Sequence, residues 1–144
     1  MAEQAHYRDR VRPEWIDYNG HLSEPYYVLV FGDATTALMD LTGLGADYRA
    51  ATGASLYTAE AHVRYRREVG LGAELDVTTS VLSVGARKVR LCHEMRVDGD
   101  IVATEELLCI HVARSRASPF PDDVAERLRQ YLSPVPDYAG RAIA

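Results

Sequence analysis

The sequence predicts an α+β fold in which one long helix is covered by a single curled antiparallel sheet. Three observations carry that reading. Apolar residues recur at helical spacing between positions 24 and 42, a period of two sets in after residue 55, and glycine-containing turns divide the alternating stretch into four long strands. A sheet with one apolar face must bury it against something, and the long apolar helix is the cover the chain offers.

From Tyr7 to Val11 the large side chains Tyr7, Asp9 and Val11 alternate with Arg8 and Arg10, which suggests a short strand that Pro13 ends. Residues 13–23, PEWIDYNGHLS, cluster Pro, Asn, Asp and Gly, the composition of an ordered loop. Ser23 is placed as the N-cap of the helix that follows, and Glu24 puts negative charge in its first turn. Pro25 is tolerated there because first-turn amides have no helical partner. Tyr27, Val30, Phe31, Ala34, Ala37, Leu38 and Leu41 then mark one buried face until Gly43 and Gly45, which sets the helix at 24–42. From Tyr26 to Phe31 it is apolar nearly all round, which implies burial against more than one surface.

A second helical turn over 46–52 closes at Gly53. Beyond Ser55, Tyr57, Ala59, Ala61, Val63 and Tyr65 alternate with Thr58, Glu60, His62, Arg64 and Arg66, the pattern of a long strand. Turns at 69–72, at Gly85 and at Asp98-Gly99 then give three successive antiparallel hairpins, the last strand running from Ile101 to Val112. Pro119 and Pro121 introduce an amphipathic helix through Val124, Leu128 and Leu132. Residues 1–132 are read as one domain and 133–144 as a loosely ordered tail. A sheet curled around one central helix is the hotdog architecture.

At 144 residues the chain has room for one core. With 47% apolar and 26% charged residues it has the balance of a folded globular protein. A formal charge of -5 argues against a nucleic-acid grip, which needs clustered positive charge. No apolar run approaches the roughly 20 residues that span a bilayer, so no membrane association is expected. Residues 1–12 lack a secretory pattern, so the cytoplasm is the expected compartment. Cys92 and Cys109 fall within apolar-alternating segments and are read as reduced core residues.

The loop from Trp15 to His21 gathers a carboxylate, an amide, an imidazole and two large aromatics just before a helix start. Unpaired amides at such a start attract negative charge, and preorganised donors facing a thioester oxyanion contribute about 2.7–4 kcal/mol each. Asp17 lies six residues before Ser23, a span that folds back readily, so its carboxylate is placed to deprotonate water or to attack a carbonyl. Taken alone, a loop aspartate more often caps its own turn, here Tyr18-Asn19-Gly20.

The segment WIDYNGHLSEPYY resembles the Asp-x-x-Gly-His stretch of the 4-hydroxybenzoyl-CoA thioesterase-like hotdog family. VFGDATTALM, YRAATGASLYTAEAHVRY and ELLCIHV extend the likeness over roughly residues 7–130. Within that family they look like the group holding betainyl-CoA thioesterases and the thioesterase part of carnitine dehydrogenase fusions. The resemblance implies hydrolysis of a short acyl-CoA, betainyl-CoA first, with Asp17 as general base or nucleophile. It also implies an oxyanion hole at the helix start, supported by Asn19, Gly20, His21, Tyr26 and Tyr27, in a site between subunits of a homodimer or dimer of dimers. No role transfers to Leu22 or Ser23, where relatives often have Asn. Coenzyme A enters as part of the substrate, and no separate cofactor is implied.

A trimethylammonium headgroup binds aromatic faces by cation–π attraction of about 0.5–2 kcal/mol each, and Trp15, Tyr18 and Tyr57, with Tyr26 and Tyr27, are candidate walls. Arg64, Arg66, Arg67, Arg87 and Lys88 are the candidate contacts for the CoA phosphates, although arginines on an exposed strand also serve simply to blunt it. His21 is read as loop support. Glu60 is read as a surface charge beside Arg64. His62, His93 and His111 lack metal-ligand spacing, so no metal is expected. Two other functions stay open: a hotdog dehydratase or hydratase, which needs a histidine and a carboxylate poised over the substrate, and a non-catalytic acyl-CoA-binding module.

Overall fold

The computed structural model describes residues 4–143. The first three residues of the 1–132 unit, where the leader reading also begins, and Ala144 of the tail lie outside the described residues. In chain order the elements are β1 (Ala5–Arg10), a 3-10 turn (Pro13–Trp15), α1 (Glu24–Leu41), α2 (Ala46–Thr52) and β2 (Ser55–Tyr65). Then follow β3 (Glu74–Val84), β4 (Lys88–Val97), β5 (Asp100–Ala113), the two-residue β6 (Arg116–Ala117) and α3 (Asp122–Arg129). No single helix among the described residues is long and apolar enough to cross a membrane.

All strands join one antiparallel sheet in the order β1-β3-β4-β5-β2, with β6 beside β5. β3-β4 and β4-β5 are hairpins as read from the turns, but the expected β2-β3 hairpin does not form. β2 pairs with β5 at the far edge and β1 with β3. The reason is the connection. Residues 66–73 are held by other partners: the Leu22 amide donates to the Val69 carbonyl (2.8 Å), the Val11 amide to Ala73 (3.0 Å) and the Gly72 amide to Val11 (3.2 Å). The segment therefore crosses the end of the sheet with Val69 buried, and cannot reverse as a tight turn.

α1 lies along the concave face with Val30, Phe31, Ala34 and Leu38 almost fully buried. Each large side chain of that stripe contributes about 1.5–3 kcal/mol by leaving water. Ser23 has the extended backbone of an N-cap, but its side chain makes no capping bond. Val28 and Leu29 remain 42% and 46% exposed, so the all-round apolar start of α1 is only half covered within one chain.

β2 does not keep the single alternation expected of it. Thr58 pairs with Cys109 and Glu60 with Leu108, leaving Ala59 as an unpaired bulge residue. An extra residue reverses the facing of everything beyond it. Thr58 thus shares the helix side with Cys109, while Ala61, Val63 and Tyr65 take that side beyond the bulge and Tyr57 points to the outer face.

α3 packs Val124, Ala125 and Leu128 against the core and ends before Leu132, which is 37% exposed and bridges to Val81. Beyond it the tail is tied to the outer face. The Tyr138 hydroxyl donates to Glu94 Oε2 (2.6 Å) and lies 3.2 Å from Cys92 Sγ, and the Gly140 amide donates to Glu106 Oε1 (2.8 Å). Cys92 and Cys109 are buried free thiols, and burial pushes both up to about 11.

Candidate active site

The stretch from Trp15 to Ser23 is a miniature hairpin. The Ser23 amide donates to the Trp15 carbonyl (2.9 Å), the Asp17 amide to His21 (3.0 Å) and the Gly20 amide to Asp17 (2.9 Å). Gly20 sits at φ +79°, left-handed geometry that a side chain would strain. The Trp15 ring is buried, stacked on Tyr26 at 5.5 Å with the Arg12 guanidinium 4.7 Å over it. That stack pins the hairpin to the first turn of α1, and so brings Asp17 to the helix start.

There Asp17 lines an open cleft of about 1190 Å³ with Tyr18, Asn19, His21, Ser23, Glu24 and Tyr27. The opposite wall is Tyr65, Arg66, Arg67 and Glu68, from the end of β2 and the segment after it. Oδ1 of Asp17 accepts the Asn19 amide at 2.9 Å, so one oxygen does cap the turn. Oδ2 makes no hydrogen bond among the described residues and is left unengaged. The oxyanion donors expected at the helix start narrow. Pro25 has no N–H, and the Tyr26 amide already donates to the Ser23 carbonyl (3.0 Å), whereas the Glu24 amide has no partner among the described residues.

Two tyrosines of the cleft hold one another in place. Tyr65 meets Tyr27 edge-on at 5.1 Å, and the Tyr27 hydroxyl donates to the Arg67 carbonyl (3.0 Å). Burial first, then the neighbouring Tyr65 phenol, and then Glu68 and Asp17 push the Tyr27 phenol up, so it stays protonated. The Tyr65 phenol is raised likewise, by burial and then by Glu24 and Glu105. His21 Nδ1 lies 3.1 Å from Glu68 Oε2, joining the hairpin to the far wall.

Several residues proposed from the sequence fall elsewhere. The buried Trp15 ring is taken up by its stack with Tyr26 and by Arg12, so Trp15 is not a free wall for a cation, and Tyr26 gives one face to the same stack. Tyr18 is 97% exposed at the rim. Tyr57 stands beyond the bulge, on the other face of β2 and roughly 25 Å along it from Tyr65. Arg66 and Arg67 line the cleft, Arg67 reaching Asp100 Oδ2 at 3.2 Å, while Arg64 lies on the outer side paired with Thr104. Arg87 and Lys88 lie at the opposite end of the sheet, Lys88 aligned with Ile110 and so with Tyr57. Tyr65 and Glu68 belong to the site and were not singled out. Tyr65 was visible only as another member of an alternating strand next to the arginines.

A helix wrapped by a curled antiparallel sheet, with Asp17 and the start of that helix lining one cleft, defines a hotdog fold. Residues 11–128 match the model of the Thioesterase-like superfamily, and the chain belongs to that family. It is 37% identical to the betainyl-CoA thioesterase of Pseudomonas aeruginosa over 95% of this chain and 92% of that one. It is also 43% identical, over 90% of its length, to the L-carnitine dehydrogenase/betainyl-CoA thioesterase of Agrobacterium fabrum, of which it spans 28%. A Staphylococcus aureus protein, SAV2348, solved in complex with CoA, superposes with TM-score 0.92 at 22% identity, covering 100% of this chain and 96% of that one.

Proposed function

We propose that the protein hydrolyses acyl-CoA thioesters, with betainyl-CoA as its preferred substrate. One observation carries the reading: a carboxylate with an unengaged oxygen, Asp17 Oδ2, shares a cleft with the unpartnered Glu24 amide at the positive end of α1. Asp17 takes a proton from water, the hydroxide adds to the thioester carbon, and the oxyanion faces the Glu24 N–H. The C–S bond then breaks, giving the free acid, and the thiolate leaves as CoA once it gains a proton. Attack by Asp17 itself would give a mixed anhydride that water opens to the same products. The betainyl choice is supported by the Pseudomonas relative's name at 37% identity and, through the Agrobacterium relative, fits carnitine metabolism. No separate cofactor enters the reaction as proposed.

The same reading makes the enzyme a homodimer, or a dimer of dimers, built on β2. That strand is an 11-residue edge, and Val28 and Leu29 of α1 stand exposed. Two β2 edges paired antiparallel would set the Tyr57 end of one subunit against the Tyr65 end of the other. The Arg87-Lys88 turn would then reach the partner's cleft, where Arg66 and Arg67 already supply charge for phosphates. Unpaired buried thiols suit the cytoplasm.

The test is free-thiol release from a panel of short, aromatic and cationic acyl-CoAs. Turnover with betainyl-CoA as the best substrate is expected. Tight binding of acyl-CoAs with no thiol released from any would instead make the chain a binding module and end the hydrolase reading.

A further inference from the structure

Glu105 is a buried carboxylate that the hydrolytic site does not use. Only 3% of the residue is exposed. It stands in β5 between His93 of β4 and Val63 of β2, in a row that runs on to Thr79 of β3. His93 stacks on Phe31 of α1, so the whole row faces the central helix. A buried carboxylate normally accepts hydrogen bonds, yet Glu105 accepts none among the described residues. His93 Nε2 lies 3.9 Å from Glu105 Oε1, beyond hydrogen-bond range. The Thr35 hydroxyl donates to the Phe31 carbonyl (3.1 Å), so Nε2–H is the donor to Thr35 Oγ1 at 2.8 Å and its proton is spent there. Burial holds the His93 imidazole neutral, down to about 3, so it supplies no countercharge.

A lone buried charge is costly unless something pays for it. Glu105 lies two residue pairs, about 7 Å, deeper along β2 and β5 than the Tyr65–Ala103 pair at the cleft wall. Its charge is felt at the Tyr65 phenol. The surroundings on that side, Val63, Phe31, Tyr27 and Tyr65, are apolar or aromatic. Such a setting suits a cation that carries methyl groups and no N–H donors.

Resting on the thioesterase reading above, we propose that Glu105 is the specificity-determining countercharge for a quaternary-ammonium acyl group held against the Tyr27–Tyr65 wall. It selects the acyl group and touches no reacting atom. Its carboxyl, pushed up to about 7 by burial, would be drawn into its ionised form by a bound cation.

The experiment compares betainyl-CoA with 3,3-dimethylbutyryl-CoA, the neutral isostere in which carbon replaces the ammonium nitrogen, in wild type and Glu105→Gln. Both kcat/KM and equilibrium Kd are read. Glu105→Gln is expected to weaken betainyl-CoA about tenfold or more while leaving the neutral thioester within about twofold. Equal losses on both substrates, or no loss on betainyl-CoA, overturn the proposal. Thiol release without charge preference sinks Glu105 and keeps the hydrolase; charge-selective binding without thiol release does the reverse.

A wild-type pH profile covers the case in which the variant does not fold. The groups facing Glu105 are His93 from β4, Tyr65 from β2, uncharged Thr35 from α1 and Cys109 on its own strand, raised to about 11; none of them titrates near 7. KM for betainyl-CoA should therefore fall as pH rises through about 7, with KM for the neutral isostere flat. Parallel profiles contradict the assignment.

Discussion

The two ends of β2 carry similar residues and stand in different places. At one end Tyr65, Arg66 and Arg67 face the Asp17 hairpin across a cleft. At the other, Tyr57 lies on the outer face, level with the Arg87-Lys88 turn and far from any described carboxylate of the site. The bulge at Ala59 makes the difference in facing, and the β1-β3-β4-β5-β2 order makes the difference in neighbours. In the proposed dimer one subunit would hold the chemical half of a site, and the remaining basic residues would gather where the second subunit meets it.

A large effect should come from separating those halves. Val28→Lys with Leu29→Lys puts charge on the exposed start of α1, and should give a monomer by gel filtration with kcat/KM down about a hundredfold. A monomeric variant with full activity would show that one chain is complete. A subtler arrangement uses mixed subunits. Asp17→Asn and the double Arg87→Ala, Lys88→Ala chains should each be impaired alone. Refolded together in equal amounts, they should recover about a quarter of wild-type activity, because half the dimers are mixed and each mixed dimer keeps one intact site. No recovery would place the Arg87-Lys88 turn outside the partner's cleft.

Arg66→Ala with Arg67→Ala should raise KM about threefold to tenfold and leave kcat nearly unchanged, because their proposed role is to contact the phosphates and not the reacting carbonyl. A matching fall in kcat would move them closer to the chemistry. The smallest effect concerns stability. The folded protein binds the Glu105 proton more tightly than the unfolded chain does, its carboxyl standing at about 7 against an ordinary 4.5. That contribution is fully present below about 4.5 and is lost as pH rises through about 7. Glu105→Gln should therefore gain a few degrees of Tm over wild type at pH 8 and little at pH 5. His93 shifts the opposite way but is common to both proteins, so it cancels in the comparison.

The helices were legible because they rest on local signals: the 24–42 period, Pro25 at the start, Gly43 at the end, and Gly53 closing α2 with φ +70°. The Asp17 loop was legible for the same reason, its turn chemistry being written into Tyr18-Asn19-Gly20. Strand order was not. Whether β2 turns directly into β3 depends on what holds Val69, a contact with Leu22 more than forty residues earlier in the chain. The bulge was equally hidden, because Tyr57, Ala59, Ala61, Val63 and Tyr65 alternate without a break, and only pairing with β5 reveals that Ala59 has no partner. Trp15 shows a third limit. Its position beside Asp17 suggested a pocket wall, but the stack with Tyr26 and Arg12 makes it the anchor of the hairpin. Glu105 was invisible beside Glu106, which points the other way and accepts Arg90 and the Gly140 amide.

The most direct test of the catalytic claim is thiol release from betainyl-CoA by Asp17→Asn, a change that keeps the side chain's shape, and its bond from the Asn19 amide, while removing the basic oxygen. A fall in kcat of about a hundredfold or more, with substrate Kd within a few-fold of wild type, is the predicted result. Undiminished turnover in the correctly folded variant would contradict it and move the chemistry away from the start of α1.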